Sequence, residues 1–185
     1  MSIYGKGGTS ASQGGSWAKN DAVAKIGAAG ERKVAKALAP YFSSPTSAAL
    51  FHDLAVPGRR ANIDHLIVSG RKVLLLDTKV WKAGFYYTIF SHTFRGFTSV
   101  SHADKKTYEM LTYDLKKFLE PVGAKILTPA VIVLGKGGKA KVGLYRPKGA
   151  KAYNLDGFLA KKISRMNLTP PEPAIFSTIN RLFDY

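Results

Sequence analysis

The hydrophobic positions of this chain alternate between helical spacing and short apolar runs, a pattern typical of helices packed on a sheet. Helical spacing over residues 21–38 and 104–119 predicts two amphipathic helices, and residues 156–166 and 174–183 predict two shorter ones. The stretches that predict strands are 50–56, 62–68, 73–80, 85–94, 130–134 and 142–145. We therefore expect an α/β fold in which a central mixed β-sheet is flanked by helices.

The clearest local prediction is a β-hairpin over residues 62–80. Gly70 suits the positive φ of a tight turn, and a two-residue loop of Gly70 and Arg71 would pair Ser69 with Lys72. Counting back along both strands then places Asp64 directly opposite Asp77. A slip of one residue would turn the apolar face to solvent, so the pattern specifies this register.

Two carboxylates placed opposite each other have Cβ atoms roughly 5 Å apart and repel each other. Either one of them stays protonated or a cation lies between them. Oxygen ligands of this kind suit Mg²⁺, with Mn²⁺ as a substitute. Lys79 lies on the same face of the strand as Asp77. A simple ion pair between Lys79 and Asp77 is therefore the alternative explanation of this arrangement.

The first helix carries a second candidate site residue, Glu31, at the border of its apolar stripe. Gly27 and Gly30 weaken a helix and therefore suggest that another backbone approaches closely. Periodicity alone favours a solvated Glu31 next to Arg32 and Lys33. The positions that form the predicted buried stripe are Val23, Ile26, Gly27, Gly30, Val34, Ala37 and Leu38.

Histidines offer a different kind of metal site, because zinc and some nucleases use imidazole ligands. The four histidines are His52, His65, His92 and His102. Their spacing matches no helix pair, and the predicted register turns His65 to the face opposite Asp64. We therefore expect His65 to pack in the core.

Three stretches in this order and spacing resemble the NERD (nuclease-related) domain, a branch of the PD-(D/E)XK nuclease superfamily. They are residues 27–34 around Glu31, residues 51–54, and the hairpin from Ile63-Asp64-His65 to Asp77-Thr78-Lys79. The resemblance extends over roughly residues 26 to 135. It implies a restriction-endonuclease-like core and a metal-dependent endonuclease that hydrolyses DNA.

The same resemblance implies roles for individual residues. Asp64 and Asp77 would bind the catalytic metal, with the Thr78 carbonyl as a third ligand and Glu31 reaching the ion directly or through water. Lys79 would orient the attacking water and offset charge on the phosphate. The implied catalytic set is therefore Glu31, Asp64, Asp77 and Lys79. The chemistry fits independently, since a bound divalent ion both activates water and stabilises the developing charge.

Charge supports a polyanionic partner. Twenty-eight basic residues face twelve acidic ones, which gives a formal net charge of +16 and a pI near 10.0. DNA, single- or double-stranded, is the expected partner. The candidate phosphate contacts are Arg59, Arg60, Lys82, Arg95 and Lys105. For the two arginines of this set that precede the hairpin, plain solvation is an equal alternative.

Aromatic residues interleave with two of these basic residues, as in a surface on which nucleobases stack. Half of them must face the core if the stretch is a strand, so only one or two are expected to contact bases. The aromatic positions are Trp81, Phe85, Tyr86, Tyr87, Phe90, Phe94 and Phe97.

Two other functions remain open at this stage. One is a non-catalytic nucleic-acid-binding module on the same fold, which the clustered acidic residues disfavour because binding an anion does not need them. The other is a junction-resolving or recombination endonuclease, which uses the same core in a homodimer. Branched and linear DNA substrates would separate the last from a general nuclease.

Length and composition predict the number of domains and the cellular location. The 185 residues suit one domain, with a flexible or partly ordered Gly/Ser-rich arm over residues 1–19 and a single NERD-like nuclease domain over residues 20–185. No apolar run is long enough to span a membrane, and no apolar signal core opens the chain. The chain contains no cysteine. We therefore expect a cytoplasmic protein without a membrane partner.

Overall fold

The computed structural model describes residues 2–9, 21–44, 46–56, 59, 62–135 and 139–184. The helices are α1 (Asp21–Leu38), α2 (Thr107–Leu119), α3 (Leu155–Lys161) and α4 (Pro173–Asn180). The strands are β1 (Ile3–Tyr4), β2 (Ala49–Ala55), β3 (Asn62–Ser69), β4 (Lys72–Trp81), β5 (Gly84–Ile89), β6 (His92–Arg95), β7 (Thr98–Ser99), β8 (Lys125–Ile126), β9 (Ala130–Gly135), β10 (Ala140–Leu144) and β11 (Lys151–Tyr153).

The strands form two sheets. The larger has the order β1-β2-β3-β4-β9-β11, with β8 paired to β4, and the smaller has the order β10-β5-β6-β7. Strands β2, β3 and β4 run antiparallel, whereas β4, β9 and β11 run parallel. The predicted α/β fold with a mixed central sheet is confirmed.

Helices cover both faces of the larger sheet. On one face, Val34 and Leu38 of α1 pack with Leu74 of β4 in a fully buried cluster. On the other face, Leu111 of α2 and Ile175 of α4 belong to a second cluster. Each large aliphatic side chain buried in this way contributes about 1.5–3 kcal/mol. Among the helices within the described residues, none combines the length and apolar character needed to cross a bilayer.

Helix α1 has the predicted bounds, but its buried face differs from the predicted stripe. Val23 and Ile26 are about half exposed, at 50% and 51%. The helix instead approaches the sheet through small residues: a Cβ on Gly30 would lie 2.4 Å from the Val80 side chain. The close approach predicted at Gly27 is wrong, because nothing lies within 4 Å of a Cβ built there.

The β3–β4 hairpin has the predicted register from Ser69–Lys72 to His65–Leu76. The predicted continuation to an Asp64–Asp77 pair is wrong, since the ladder between the two strands ends at His65–Leu76. Beyond this point β4 pairs with β9 on its other side, where Asp77 lies opposite Val131.

The single strand predicted over residues 85–94 is also wrong. This stretch is a hairpin, in which β5 and β6 are joined by a two-residue turn of Phe90 and Ser91. Both turn residues have positive φ, a conformation for which Asn or Gly would have been the usual signal. Because an aromatic residue occupies the turn, the apolar pattern runs through it without a break.

The predicted arm over residues 1–19 is partly ordered. Ile3 and Tyr4 pair in parallel with Leu50 and Phe51, and the Tyr4 and Phe51 rings stack at 5.0 Å. This apolar pair therefore extends the edge of the larger sheet. Residues 10–19 of the predicted arm lie outside the described part of the chain.

Candidate active site

The site begins where the backbone pairing between β2 and β3 is interrupted. Asp53 has φ 56°, a left-handed conformation that aspartate tolerates better than most residues. It lies across from Asp64, next to the retained Leu54–Ile63 pair. Beyond this interruption, Leu54 and Ile63 belong to the same apolar cluster as Leu66. The interruption moves two aspartates out of the regular ladder.

Asp77 is held from two sides on β4. Its Oδ1 accepts a hydrogen bond from Lys79 Nζ at 2.8 Å, and its Oδ2 accepts one from the Tyr108 hydroxyl at 3.1 Å. Only 9% of Asp77 is exposed. The ion pair considered as an alternative is therefore present, and Asp77 and Lys79 share a face as the strand geometry predicts.

Asp64 reaches β4 through its side chain. Its Oδ2 accepts a hydrogen bond from the Thr78 backbone N–H at 2.6 Å. The Thr78 hydroxyl lies 3.3 Å from His65 Nε2 on the opposite face. A side chain thus bridges β3 and β4 at the point where their backbone ladder ends.

Glu31 lies on the buried face of α1, with 8% exposure, so the expectation of a solvated charge is wrong. Burial raises the pKa of Glu31, and the neighbouring carboxylates of Asp53 and Asp77 raise it further. Lys79 and the backbone N–H of Gly8 partly offset these effects.

Asp64, Asp77, Glu31 and Lys79 share one electrostatic environment. Burial raises the pKa of Asp64 well above its usual value. The charges of Asp77 and Glu31 raise it further, whereas Lys79 acts to lower it. Burial acts to lower the pKa of Lys79, but Asp77, Asp64 and Glu31 more than compensate, so the net pKa is raised. Lys79 contacts Asp77 directly, and the charges of Asp64 and Glu31 also act on it, so one ammonium group interacts with three carboxyl groups.

Tyr108 and Tyr145 are components of this region that the sequence did not reveal. Burial raises the pKa of both phenols, and the charge of Asp77 raises it further. The Tyr145 hydroxyl donates to the Ala103 carbonyl at 3.0 Å. A tyrosine within the apolar stripe of a helix, as at Tyr108, was the available signal, because its hydroxyl needs a partner when buried.

A cavity of about 260 Å³ opens beside Lys79. Its lining combines aromatic rings with basic and polar groups. The residues that line it are Lys79, Trp81, His102, Ala103, Lys105, Thr107, Tyr108 and Tyr145.

The predicted phosphate contacts differ in placement. Lys105 lines the cavity beside Lys79, and Lys82 is exposed immediately after β4. Arg95 is half-buried and packs over Gly84. In the sequence, these three basic residues lie between Lys79 and helix α2.

Arg59 is engaged elsewhere: its guanidinium forms an ion pair with Asp114 of α2 at 2.8 Å. This pair gives Arg59 a local partner in place of open solvation. Arg60, the second predicted arginine, lies outside the described residues.

The two buried histidines form a pair behind the site. His52 Nδ1 and His65 Nδ1 are 2.7 Å apart, so one nitrogen donates and the other accepts. Burial lowers the pKa of His52 to about 4 and that of His65 to about 3, so both are neutral at pH 7. Core packing of His65 is confirmed. Throughout the described ranges, no three or more His, Cys, Asp or Glu side chains group so as to hold a metal ion.

A mixed sheet with flanking helices, and with acidic side chains and a lysine gathered at one hairpin, defines an α/β domain of nuclease-like type. The family model of NERD, the nuclease-related domain, matches residues 26–132, and the chain belongs to this family. All four residues of the shared electrostatic environment lie within the match. The comparisons with curated proteins and with solved structures found no match.

Proposed function

We propose that this protein is a metal-dependent nuclease that hydrolyses phosphodiester bonds in DNA. One observation supports this beyond family membership: Asp77 pairs with Lys79, and Glu31 and Asp64 lie close enough to act on the same lysine although their mutual repulsion is costly. A cluster of this kind serves chemistry better than stability, because removing the repulsion would stabilise the fold.

The donor set fits a hard divalent cation. Asp64 and Asp77 would hold Mg²⁺ or Mn²⁺, with Glu31 and the Thr78 carbonyl as further oxygen donors. Burial and, after it, the neighbouring carboxylates raise the pKa values of Glu31 and Asp64, and a bound divalent ion would favour the charged form of both. When bound, the ion supplies an activated water and charge stabilisation at the phosphate.

The protein's own groups have separate tasks in this proposal. Lys79, kept protonated by the three carboxylates, orients the attacking water and offsets negative charge on the phosphate. Tyr108 holds the Asp77 carboxylate in place through its hydroxyl. The basic side chains of Lys82 and Lys105 bind the flanking phosphates.

A non-catalytic nucleic-acid-binding module is the second candidate. The observation that favours it is the absence, within the described residues, of a three-residue group that could hold a metal ion. The Lys79–Asp77 ion pair would then be structural, and the net charge of +16 would carry the function alone.

The two candidates differ in a cleavage assay with labelled single-stranded, double-stranded and branched DNA in Mg²⁺, Mn²⁺ or EDTA. We expect cleavage that EDTA abolishes and that Asp77→Ala or Lys79→Ala slows at least about a hundredfold. Selective cleavage of branched DNA would instead identify a junction-resolving enzyme.

Matched controls are Asp156→Ala and Lys161→Ala, which remove the same charges from exposed positions on α3. Both should cleave like the wild type, and circular dichroism should show all four variants folded. Cleavage that survives Asp77→Ala and Lys79→Ala would remove these residues from the mechanism. DNA binding without metal-dependent cleavage would favour the binding module.

A further inference from the structure

The smaller sheet turns one face to solvent, and this face carries a row of aromatic rings. The Phe85 and Tyr87 ring centroids are 5.8 Å apart, and those of Tyr87 and Phe94 are 5.6 Å apart, with interplanar angles of 30° and 20°. Phe85 is 44% exposed. The opposite face packs inward through Tyr86 and Thr93, which are buried. We call Phe85, Tyr87 and Phe94 the aromatic row.

Two further phenylalanines extend from the turns of this sheet. Phe90, at 93% exposure, occupies the β5–β6 turn with φ 47°, a conformation that is strained for a bulky residue. Phe97 is fully exposed in the β6–β7 turn, next to Gly96. Neither ring is buried, so folding gains nothing from them. Strain and exposure together indicate a role in contact with a partner.

Charge defines the chemistry of that partner. No aspartate or glutamate occurs in residues 78–103 or in residues 121–155, which together contain all four strands of the smaller sheet. Lys141 lies opposite Phe85 in the parallel β10–β5 pair. A surface that combines basic groups and aromatic rings without carboxylates matches a polyanion with flat apolar faces, and it repels a second copy of itself.

The aromatic row lies close to the candidate active site along the chain, but on the face of β5 opposite the one that Trp81 contacts. Phe85 follows Lys79 by six residues, so their Cα atoms lie at most about 22 Å apart. Trp81 lines the cavity beside Lys79 and packs on Tyr86 of β5 at 4.7 Å between ring centroids. A single strand that passes from the row around the edge of the smaller sheet can span this distance with a few nucleotides.

We propose that the aromatic row binds single-stranded DNA by stacking unpaired bases on Phe85, Tyr87 and Phe94, and that it delivers this strand to Lys79. The proposal rests on the proposed nuclease function and names its substrate class. Duplex DNA cannot bind in this way, because its bases are stacked on each other and cannot lie on the rings of the row.

The test measures binding of fluorescent oligothymidylate by anisotropy, in EDTA so that cleavage plays no part. Phe85→Ala and Phe94→Ala should each weaken binding about tenfold, which corresponds to about 1.4 kcal/mol. Phe85→Trp should retain the affinity, because it keeps the ring. Binding of a duplex of the same length should change less than about twofold, since phosphate contacts dominate there.

The matched control is Tyr113→Ala, which removes a 67%-exposed ring from α2, outside the smaller sheet. It should bind oligothymidylate like the wild type. Unchanged binding by Phe85→Ala and Phe94→Ala would overturn the proposal, as would a dimer that these variants convert to monomers in sedimentation. Tighter binding of the equivalent RNA would overturn the assignment to DNA.

The same experiments separate this proposal from the nuclease function. If single strands bind through the aromatic row but no metal supports cleavage, the nuclease function fails and the binding site stands. If metal-dependent cleavage is found and the variants of the aromatic row bind normally, the nuclease function stands and the proposed binding site fails.

Discussion

At the scale of single residues, the partner of each polar group decides its chemical state. His52 and His65 have the same side chain as the exposed His92, yet only the first two are buried and paired with each other. Burial is the largest cause of the lowered pKa values of His52 and His65. The pair therefore stays neutral and connects β2 to β3 directly behind the candidate active site.

This pair makes stability depend on pH. The pKa of His52 falls from 6.5 in the unfolded chain to about 4, so the unfolded state binds more protons between these values. The contribution of neutral His52 to the free energy of unfolding is on the order of 3 kcal/mol. It is fully present above pH 6.5 and is lost as the pH falls towards 4. The raised pKa values of Glu31 and Asp64 act in the opposite direction.

A comparison of variants isolates the histidine effect. Urea unfolding at several pH values should show the wild type losing stability relative to His52→Gln as the pH falls from 7 to 4. His92→Gln, at an exposed position, should follow the wild-type profile. Parallel profiles for the wild type and His52→Gln would contradict the assignment of a neutral buried pair.

At the scale of elements, the approach of α1 to β4 positions Glu31. Gly30 precedes Glu31 and lies against Val80, where a Cβ would come within 2.4 Å of the valine side chain. The helix can lie this close only because glycine leaves the space empty. The position of Glu31 near Asp53 and Lys79 therefore depends on a neighbour that has no side chain.

Two glycine variants test this dependence. Gly30→Ala should lower the free energy of unfolding by about 1–2 kcal/mol, because overpacking outweighs the gain in helix propensity. Cleavage should fall as well, because α1 and Glu31 move away from β4. Gly27→Ala, with open space around the new methyl, should raise stability by about 1 kcal/mol and leave cleavage unchanged. Equal effects in denaturant unfolding would contradict the close approach at Gly30.

At the scale of the whole molecule, the distribution of charge matters more than its sum. Eight of the twelve acidic residues lie in the candidate site or in and next to α2, while residues 121–155 contain basic residues and no acidic one. The carboxylates of the site are thus surrounded by a surface that attracts the anion they would otherwise repel. Lys105 lines the cavity beside Lys79, and Lys82 follows the end of β4.

This field predicts a steep dependence of DNA binding on salt. The logarithm of the binding constant should fall linearly with that of the salt concentration, by about 0.7 per phosphate contact on single strands. Lys82→Ala and Lys105→Ala should each reduce this slope by about one contact in anisotropy titrations in EDTA. Lys161→Ala on α3 is the control and should leave the slope unchanged. If all three variants have the same slope, Lys82 and Lys105 do not contact phosphate.

Local patterns were sufficient for the elements and for much of the register. The helix over residues 21–38 and the Ser69–Lys72 pairing follow from spacing, turn chemistry and the two faces of a strand. The burial of Glu31 was not predictable, because periodicity assigned the stripe to larger side chains than the ones that pack. The β5–β6 turn was missed because Phe90 lacks a turn signal.

What the sequence determined by itself is the α/β class, the hairpin register from Ser69–Lys72 to His65–Leu76 and the family, because these depend on interactions between residues close in the chain or on their order. Only the tertiary structure decided which charges meet. The Asp64 bond to Thr78, the Tyr108 bond to Asp77 and the approach of Gly30 to Val80 join segments 14, 31 and 50 positions apart. The first follows from where the β3–β4 ladder ends and the other two from how α2 and α1 pack on the sheet, and no local pattern encodes either.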